Sequence, residues 1–352
     1  MPFDRLPESL QTVYAELLDQ AQRGDADLAL AVPTHGSFVS KVVKGRRYWY
    51  FQRHDAGRKR QRYLGPDSPA LLERIDEIEA RRDERAPDLR RRAELVDMLL
   101  AGGAAREPAA VARVLAVLAE SRMFRLGGVV VGTQAFRCHA NMLGVRFPGG
   151  ALRTEDVDIA NEAGLAVALA PEQAPVETLR LLQQAEPGFF AVPELDPRRP
   201  STSFKVRGRD LRVDFLTPAR GRNANEPVWL PLFRVAATPL PMLGYLIEDV
   251  TSAVVLGSGG VLVNVPVPAR FALHKVWLAA RRPVGEQAKA RKDVRQAAAL
   301  LEVLLEDRPG DIRDAWGALK LRPREARAVR AALERSGAAE PLRRTGELVG
   351  LF

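Results

Sequence analysis

The spacing of apolar positions changes period several times along the chain, and each change marks an element. Leu10, Val13, Tyr14, Leu17 and Leu18 recur at helical steps, which predicts an amphipathic helix over residues 8–24. From Gly36 the pattern shortens to β-type runs, Phe38–Val43, Arg47–Gln52 and Gln61–Leu64, separated by turn signals at Lys44-Gly45 and Ala56-Gly57. This is a three-stranded meander. Helices are predicted over Pro69–Arg85 and Leu89–Leu100, interrupted at Ala86-Pro87, and Gly102-Gly103 closes the region. Pro108–Arg122 places Val111, Val114, Leu115 and Leu118 on one helical face, and Leu126–Val131 is a short apolar strand ending at Gly132-Thr133. Asp156–Ala160 alternates as a strand, and Pro171–Ala185 reads as a helix with Pro at its start. Two hairpins follow, Ser203–Val206 with Leu211–Leu216 and Val254–Leu256 with Val261–Val265 around Gly257–Gly260. From Pro268 onward the chain reads as helices broken at Pro283, Pro309 and Pro323. The expected organisation is α+β in three parts: an accessory unit over 1–103, a mixed-sheet core over 104–266 and a helical region over 267–352.

Composition narrows the class. With 352 residues, of which 46% are hydrophobic, the chain can bury more than one core. Cys138 is the single cysteine, which rules out an intrachain disulfide framework. No apolar leader opens the chain and no apolar run is long enough to cross a bilayer, so a cytoplasmic location without membrane contact is expected. The net charge of +9 is concentrated: Gly36–Gly65 holds nine Lys or Arg against the single acid Asp55. Arg46, Arg47, Lys59, Arg60 and Arg62, interleaved with Tyr48, Trp49, Tyr50 and Phe51, suit the phosphates and bases of RNA or another single-stranded nucleic acid. The bland reading is a solvated strand face over an ordinary aromatic core.

The candidate chemistry lies downstream. Asp156 and Asp158 are i and i+2 on a strand, so both face one side while Val157 and Ile159 face the other. Asp214 is a lone acid on the mostly apolar strand Leu211–Leu216, where it joins them, caps a turn or pairs with Arg212. Carboxylates so arranged suit Mg²⁺ or Mn²⁺, which take oxygen ligands supplemented by phosphate and water. Gly132-Thr133, at a strand-to-helix junction, offers backbone N–H groups and a hydroxyl to a triphosphate at the positive end of a helix.

Gly132-Thr133, Arg153-Thr-Glu-Asp-Val-Asp158 and Val213-Asp214 together resemble the pattern of the polymerase-β-type nucleotidyltransferase superfamily. Leu126–Phe136, Asn141–Val145, Pro266–Lys275 and Lys289–Gln296 are similar to a bacterial nucleotidyltransferase-fold family of unassigned substrate. The resemblance spans about Pro108 to Leu305. It implies a polymerase-β-like core, a small mixed sheet flanked by helices, that moves a nucleoside monophosphate from an NTP such as ATP to an acceptor hydroxyl on RNA, tRNA or protein. Asp156, Asp158 and Asp214 would be the catalytic metal ligands, and Gly132 and Thr133, assisted by Lys275, would hold the phosphates. A more distant similarity to abortive-infection toxin nucleotidyltransferases maps a Lys, an Arg and an [RK]-D pair onto Lys275, Arg281 or Arg282, and Lys292-Asp293.

Two rivals are weighed against this. A glycosyltransferase also uses an Asp-x-Asp, but the upstream Gly-Thr and the downstream acid speak against it. A nucleic-acid-binding or regulatory protein with an inactive core is disfavoured by the presence of all three acids. Lys289 and Lys292 read as solvated helix charges, and Cys138, His139 and His274 as packing residues.

Overall fold

The computed structural model describes residues 3–27, 36–55, 58–148, 155–162, 177–194, 196, 198–220, 226–335 and 340–350. The expected turn at Ala56-Gly57 and the first part of the helix expected from Pro171 lie outside them.

The N-terminal region begins with β1 (Asp4–Arg5) and α1 (Glu8–Asp27). Tyr14, Leu17 and Ala21, at helical spacing, form its buried stripe. Strands β2 (Ser37–Val43), β3 (Arg46–Asp55) and β4 (Arg58–Pro66) form the antiparallel meander. Helix α2 (Pro69–Ala101) follows, opened by Ser68, whose Oγ accepts the Leu71 N–H at 3.3 Å. Its length corrects the sequence reading, because Pro87 lies inside one continuous helix. An interior proline costs about 3 kcal/mol, and both halves of α2 are anchored by packing that outweighs it. Pro87 is solvent-exposed, so water can satisfy the carbonyl left without a helical partner. The first half of α2 covers one face of the meander, where Arg82 lies over the rings of Phe38 and Phe51 and Ile75 is buried. In the second half, Leu95, Val96 and Leu99 join Tyr14 and Leu17 in a core that also takes in Val254 and Leu256.

The remainder comprises α3 (Ala109–Glu120), β5 (Val129–Val131), α4 (Gly132–Met142), β6 (Val145–Arg146), β7 (Asp156–Ala160) and α5 (Thr178–Ala185). Next come β8 (Phe189–Ala191), β9 (Ser203–Val206), β10 (Arg212–Pro218), β11 (Val228–Leu230), β12 (Val235–Leu240), α6 (Leu243–Ile247) and the hairpin of β13 (Val250–Val255) and β14 (Val261–Pro266). Among the described residues, five α-helices follow: α7 (Pro268–Arg281), α8 (Gln287–Asp307), α9 (Pro309–Lys320), α10 (Pro323–Arg335) and α11 (Glu340–Leu348). The result is the mixed α+β architecture with a helical C-terminal part that the sequence implied.

Among the described residues, the central sheet has seven strands, ordered β11-β12-β10-β7-β5, with β9 also paired to β10 and β8 to β9. Along one edge of β10, β9 pairs with Arg212–Asp214 and β12 with Leu216–Pro218. The other edge pairs in parallel with β7. Strands β8, β11 and β12 are missing from the sequence reading: the first two are three residues long, and Val235–Leu240 is diluted by Ala and Pro. The inner face of this sheet, α3 and the C-terminal helices share one core that includes Val157, Phe215, Phe271, Trp316 and Leu342.

Candidate active site

Strand register builds the site. Parallel pairing of β7 with β10 sets Asp158 opposite Asp214 and Asp156 opposite Arg212. Val157, Ile159, Val213 and Phe215 point the other way and are wholly buried. The apolar residues thus fix which face the acids occupy, since a one-residue slip would drive them into the core. Antiparallel pairing of β5 with β7 sets Val131 opposite Asp158, so the chain leaves β5 beside that carboxylate. Gly132 turns it there with φ +66° into α4, and a Cβ at this position would collide with the Asp158 carboxylate. Glycine is required on both counts. The first N–H groups of α4 therefore open beside the acids and favour an anion there.

Charge is crowded at this point. Asp158 is pushed up to about 7 by burial and then by Asp214, with a smaller contribution from Asp156; Lys275 acts in the opposite direction. Asp214 accepts hydrogen bonds from the Ser203 hydroxyl and from Arg212 Nε at 2.8 Å, and Arg212 Nη2 donates to Ser203 Oγ at 2.9 Å. Asp214 thus stands opposite Asp158 in register and is paired with Arg212. Among the described residues, no three His, Cys, Asp or Glu side chains are gathered closely enough to hold a metal ion.

The helical part supplies cations. Lys275, on α7, is buried and donates to Asp293 Oδ1 at 2.8 Å, and Arg282 Nε donates to Asp293 Oδ2 at 3.1 Å. Lys292, one residue earlier on α8, donates to Thr133 Oγ1 at 2.9 Å. Burial and the charge of Lys275 hold Lys292 below the usual lysine range. A third buried set, Glu107, Arg137 and Gln134, ends in the bond from Gln134 Nε2 to the Asp156 carbonyl at 2.8 Å.

A nucleotidyltransferase family model matches residues 109–320. The chain belongs to that nucleotidyltransferase family. The matched region carries Gly132, Thr133, Asp156, Asp158, Asp214, Lys275, Lys292 and Asp293. Residues 5–80 match a domain of unknown function. No curated protein and no solved structure matches the chain.

In this nucleotidyltransferase the sequence-predicted residues fall into two places. Gly132, Thr133, Asp156, Asp158 and Asp214 meet where β5, β7 and β10 adjoin the start of α4, and Lys275 acts on Asp158 through space. Lys292, read from sequence as a solvated charge, is the lysine that reaches Thr133. The adjacent Lys-Asp pair was its only local signal, because nothing in α8 alone reveals that α4 lies within reach. Between Arg281 and Arg282, it is Arg282 that joins Asp293, while Arg281 lies over Trp277 with 5.0 Å to the ring centroid. His139 donates from Nε2 to the Pro266 carbonyl at 2.7 Å and is pushed down to about 4 by burial. Cys138 is buried, and burial pushes the thiol above its usual range.

The basic residues lie elsewhere, on the meander. Arg46, Arg47 and Lys59 are exposed, while the side chains of Arg60 and Arg62 lie outside the described residues. The face not covered by α2 presents Tyr48, Tyr50 and Tyr63 in contact, with Lys41 Nζ 4.9 Å from the Tyr50 ring centroid. Among the described residues, no helix is long and apolar enough to cross a membrane.

Proposed function

We propose that this protein is a magnesium-dependent nucleotidyltransferase of the polymerase-β type, related to the abortive-infection toxin enzymes, that transfers a nucleoside monophosphate from an NTP such as ATP to a hydroxyl of RNA or tRNA. The in-register pair Asp158–Asp214 beside the N-terminus of α4 carries this reading. The residues suit Mg²⁺, or Mn²⁺ in its place, on chemical grounds. Asp158 is raised by burial and then by its acidic neighbours, and a divalent cation entering the cluster relieves the repulsion. Asp158 and Asp214, opposite each other in register, and Asp156 two residues along the same face would hold it only once their carboxylates close on one point, and when bound it would supply charge neutralisation at the phosphates and a more acidic acceptor hydroxyl.

The N–H groups at Gly132 and Thr133 and the Lys292 ammonium receive the β- and γ-phosphates. Lys275, locked by Asp293, contributes fixed positive charge behind Asp158. Asp214 accepts the hydroxyl proton, with Arg212 and Ser203 orienting its carboxylate. The basic meander is the accessory unit that brings the nucleic acid to the core.

One observation favours a second reading. Arg212 already neutralises Asp214, as expected of a core that binds but no longer turns over. Incubating the protein with Mg²⁺, each labelled NTP and cell extract separates the two. Labelling of an RNA fraction that disappears in Asp156→Asn and Asp158→Asn supports transfer, with a loss of about 1000-fold or more. No labelling with any NTP, or equal labelling by wild type and variants with matched melting curves, sinks it.

A further inference from the structure

The carboxylates lie in the middle of a row across the sheet, and the two flanks of that row differ. In strand order, Val131 on β5 stands next to Asp158, then Asp214 on β10, then Ser203 on β9. The next row on the same face runs Asp156, Arg212, Lys205 and Phe190, on β7, β10, β9 and β8. The β5 flank carries the start of α4, Thr133 and Lys292, which is the triphosphate side. The β9–β8 flank is a groove of about 850 Å³ walled by the acids Glu155, Asp156 and Asp210 and the cations Lys205, Arg209 and Arg212. It runs on over Phe190 and Arg207 as a further pocket of about 540 Å³.

Beside Asp156 the groove is mixed in charge, whereas toward Phe190 its wall holds Lys205, Arg207 and Arg209 against the single acid Asp210. Arg212 is paired with Asp214 and Arg209 with Glu186, but Lys205 and Arg207 have no acidic partner among the described residues. Arg207 lies over the partly exposed ring of Phe190, 5.5 Å from its centroid. Unpaired cations around a stackable ring, next to acids suited to a metal, fit a polyanion with planar bases. The triphosphate already has its seat across the carboxylates. In-line transfer places the attacking oxygen opposite the leaving pyrophosphate, which is the groove side.

We propose that the groove formed by Lys205, Arg207 and Phe190 is the acceptor subsite, and that it holds the last nucleotides of a single-stranded nucleic acid with the terminal hydroxyl at Asp214. Lys205 is two strand spacings from Asp156, roughly 10 Å, within reach of the backbone phosphates behind that hydroxyl. Phe190 stacks a base. In the step, the terminal hydroxyl oxygen bonds to the α-phosphorus and the α–β bridging P–O bond breaks. Pyrophosphate leaves with the bridging oxygen, and the hydroxyl proton passes to Asp214 and then to solvent. This assignment rests on the transferase reading.

The test is made without turnover, on the full chain. A short fluorescein-labelled single-stranded RNA ending in 4-thiouridine serves as probe, and binding of a fluorescent ATP analogue with Mg²⁺ is followed in parallel. The variant Lys205→Gln/Arg207→Gln should bind the RNA roughly tenfold more weakly, with its log–log salt slope reduced by roughly 0.7 for each cation removed. Phe190→Leu, which keeps an apolar side chain, should weaken binding roughly fivefold or more with the slope unchanged. The ATP analogue should bind all three proteins alike. Irradiation should join the terminal thiouridine to a peptide within residues 189–216. Unchanged RNA affinity in both variants, or a terminal cross-link to residues 36–66 instead, overturns the subsite. Labelling of a protein or small molecule from NTP, with no RNA cross-link at 189–216, overturns it while leaving the transferase reading intact. Cross-linking at 189–216 without nucleotide transfer to any acceptor upholds the groove as a nucleic-acid site but removes the transferase reading and, with it, the acceptor role.

Discussion

The acid-bearing strands β7 and β10 and the basic strands β2–β4 both carry concentrated charge, yet they are embedded in opposite ways. Beside Asp158, Asp214 is held by Arg212 and Ser203, Lys275 by Asp293, and Lys292 by Thr133. The apolar residues between the acids are fully buried. On the meander, Gly65 is the one buried residue among those whose burial is described, and Arg46, Arg47 and Lys59 project into water. Charges in a low-dielectric setting act strongly and are specific to position, whereas exposed ones act collectively and are screened by salt. The first region is suited to chemistry at one atom, the second to holding a long anion without choosing its sequence.

The sharpest test of this contrast is Lys275→Met. Removing one partner of a buried pair costs about 3–5 kcal/mol in chemical denaturation where the other charge is left unpaired. Arg282 is the remaining cation on Asp293 and moderates the loss. Lys292→Met, by contrast, should leave the fold near wild type and weaken NTP binding, because its partner is the neutral Thr133 hydroxyl. If both variants are equally stable, the helical cations are no more embedded than those of the meander, and the comparison fails.

The next effect is on pH. Asp158 in the folded protein is raised to about 7, above its unfolded value, so the native state holds its proton longer than the unfolded chain does. Stability is therefore lost as pH rises from the ordinary carboxylate range through about 7. In metal-free buffer the melting temperature should fall across that window, and Asp158→Asn should flatten the fall. Adding Mg²⁺ should restore wild type but not the variant. A wild-type melting curve insensitive to both pH and Mg²⁺ would remove the crowded-carboxylate account.

The smallest effect per residue belongs to the meander. Neutralising Arg46, Arg47, Lys59, Arg60 and Arg62 together should weaken RNA binding and lower the log–log salt slope by roughly 0.7–0.9 for each phosphate left unpaired. Transfer to a minimal acceptor that does not reach the meander should persist. Unchanged affinity and slope would reduce these strands to a solvated face and move the acceptor toward a protein or small molecule.

Much of this was legible in the residue order. The two-residue period of Asp156-Val-Asp-Ile determined that both acids share a face, because the core must take Val157 and Ile159. The apolar run before Gly132-Thr133 determined a strand feeding a helix, and the clustering of Lys and Arg within Gly36–Gly65 located the charge. Local pattern could not show distance across the chain. Only the parallel register of β7 with β10 set Asp214 against Asp158, and only the packing of α8 near α4 carried Lys292 to Thr133. The continuity of α2 through Pro87 was likewise decided by what its two halves pack against, which outweighs one residue's preference. Period and propensity act over one element and are written in neighbouring residues, whereas register and helix packing depend on contacts between residues far apart in sequence, and those exist only once the chain has folded.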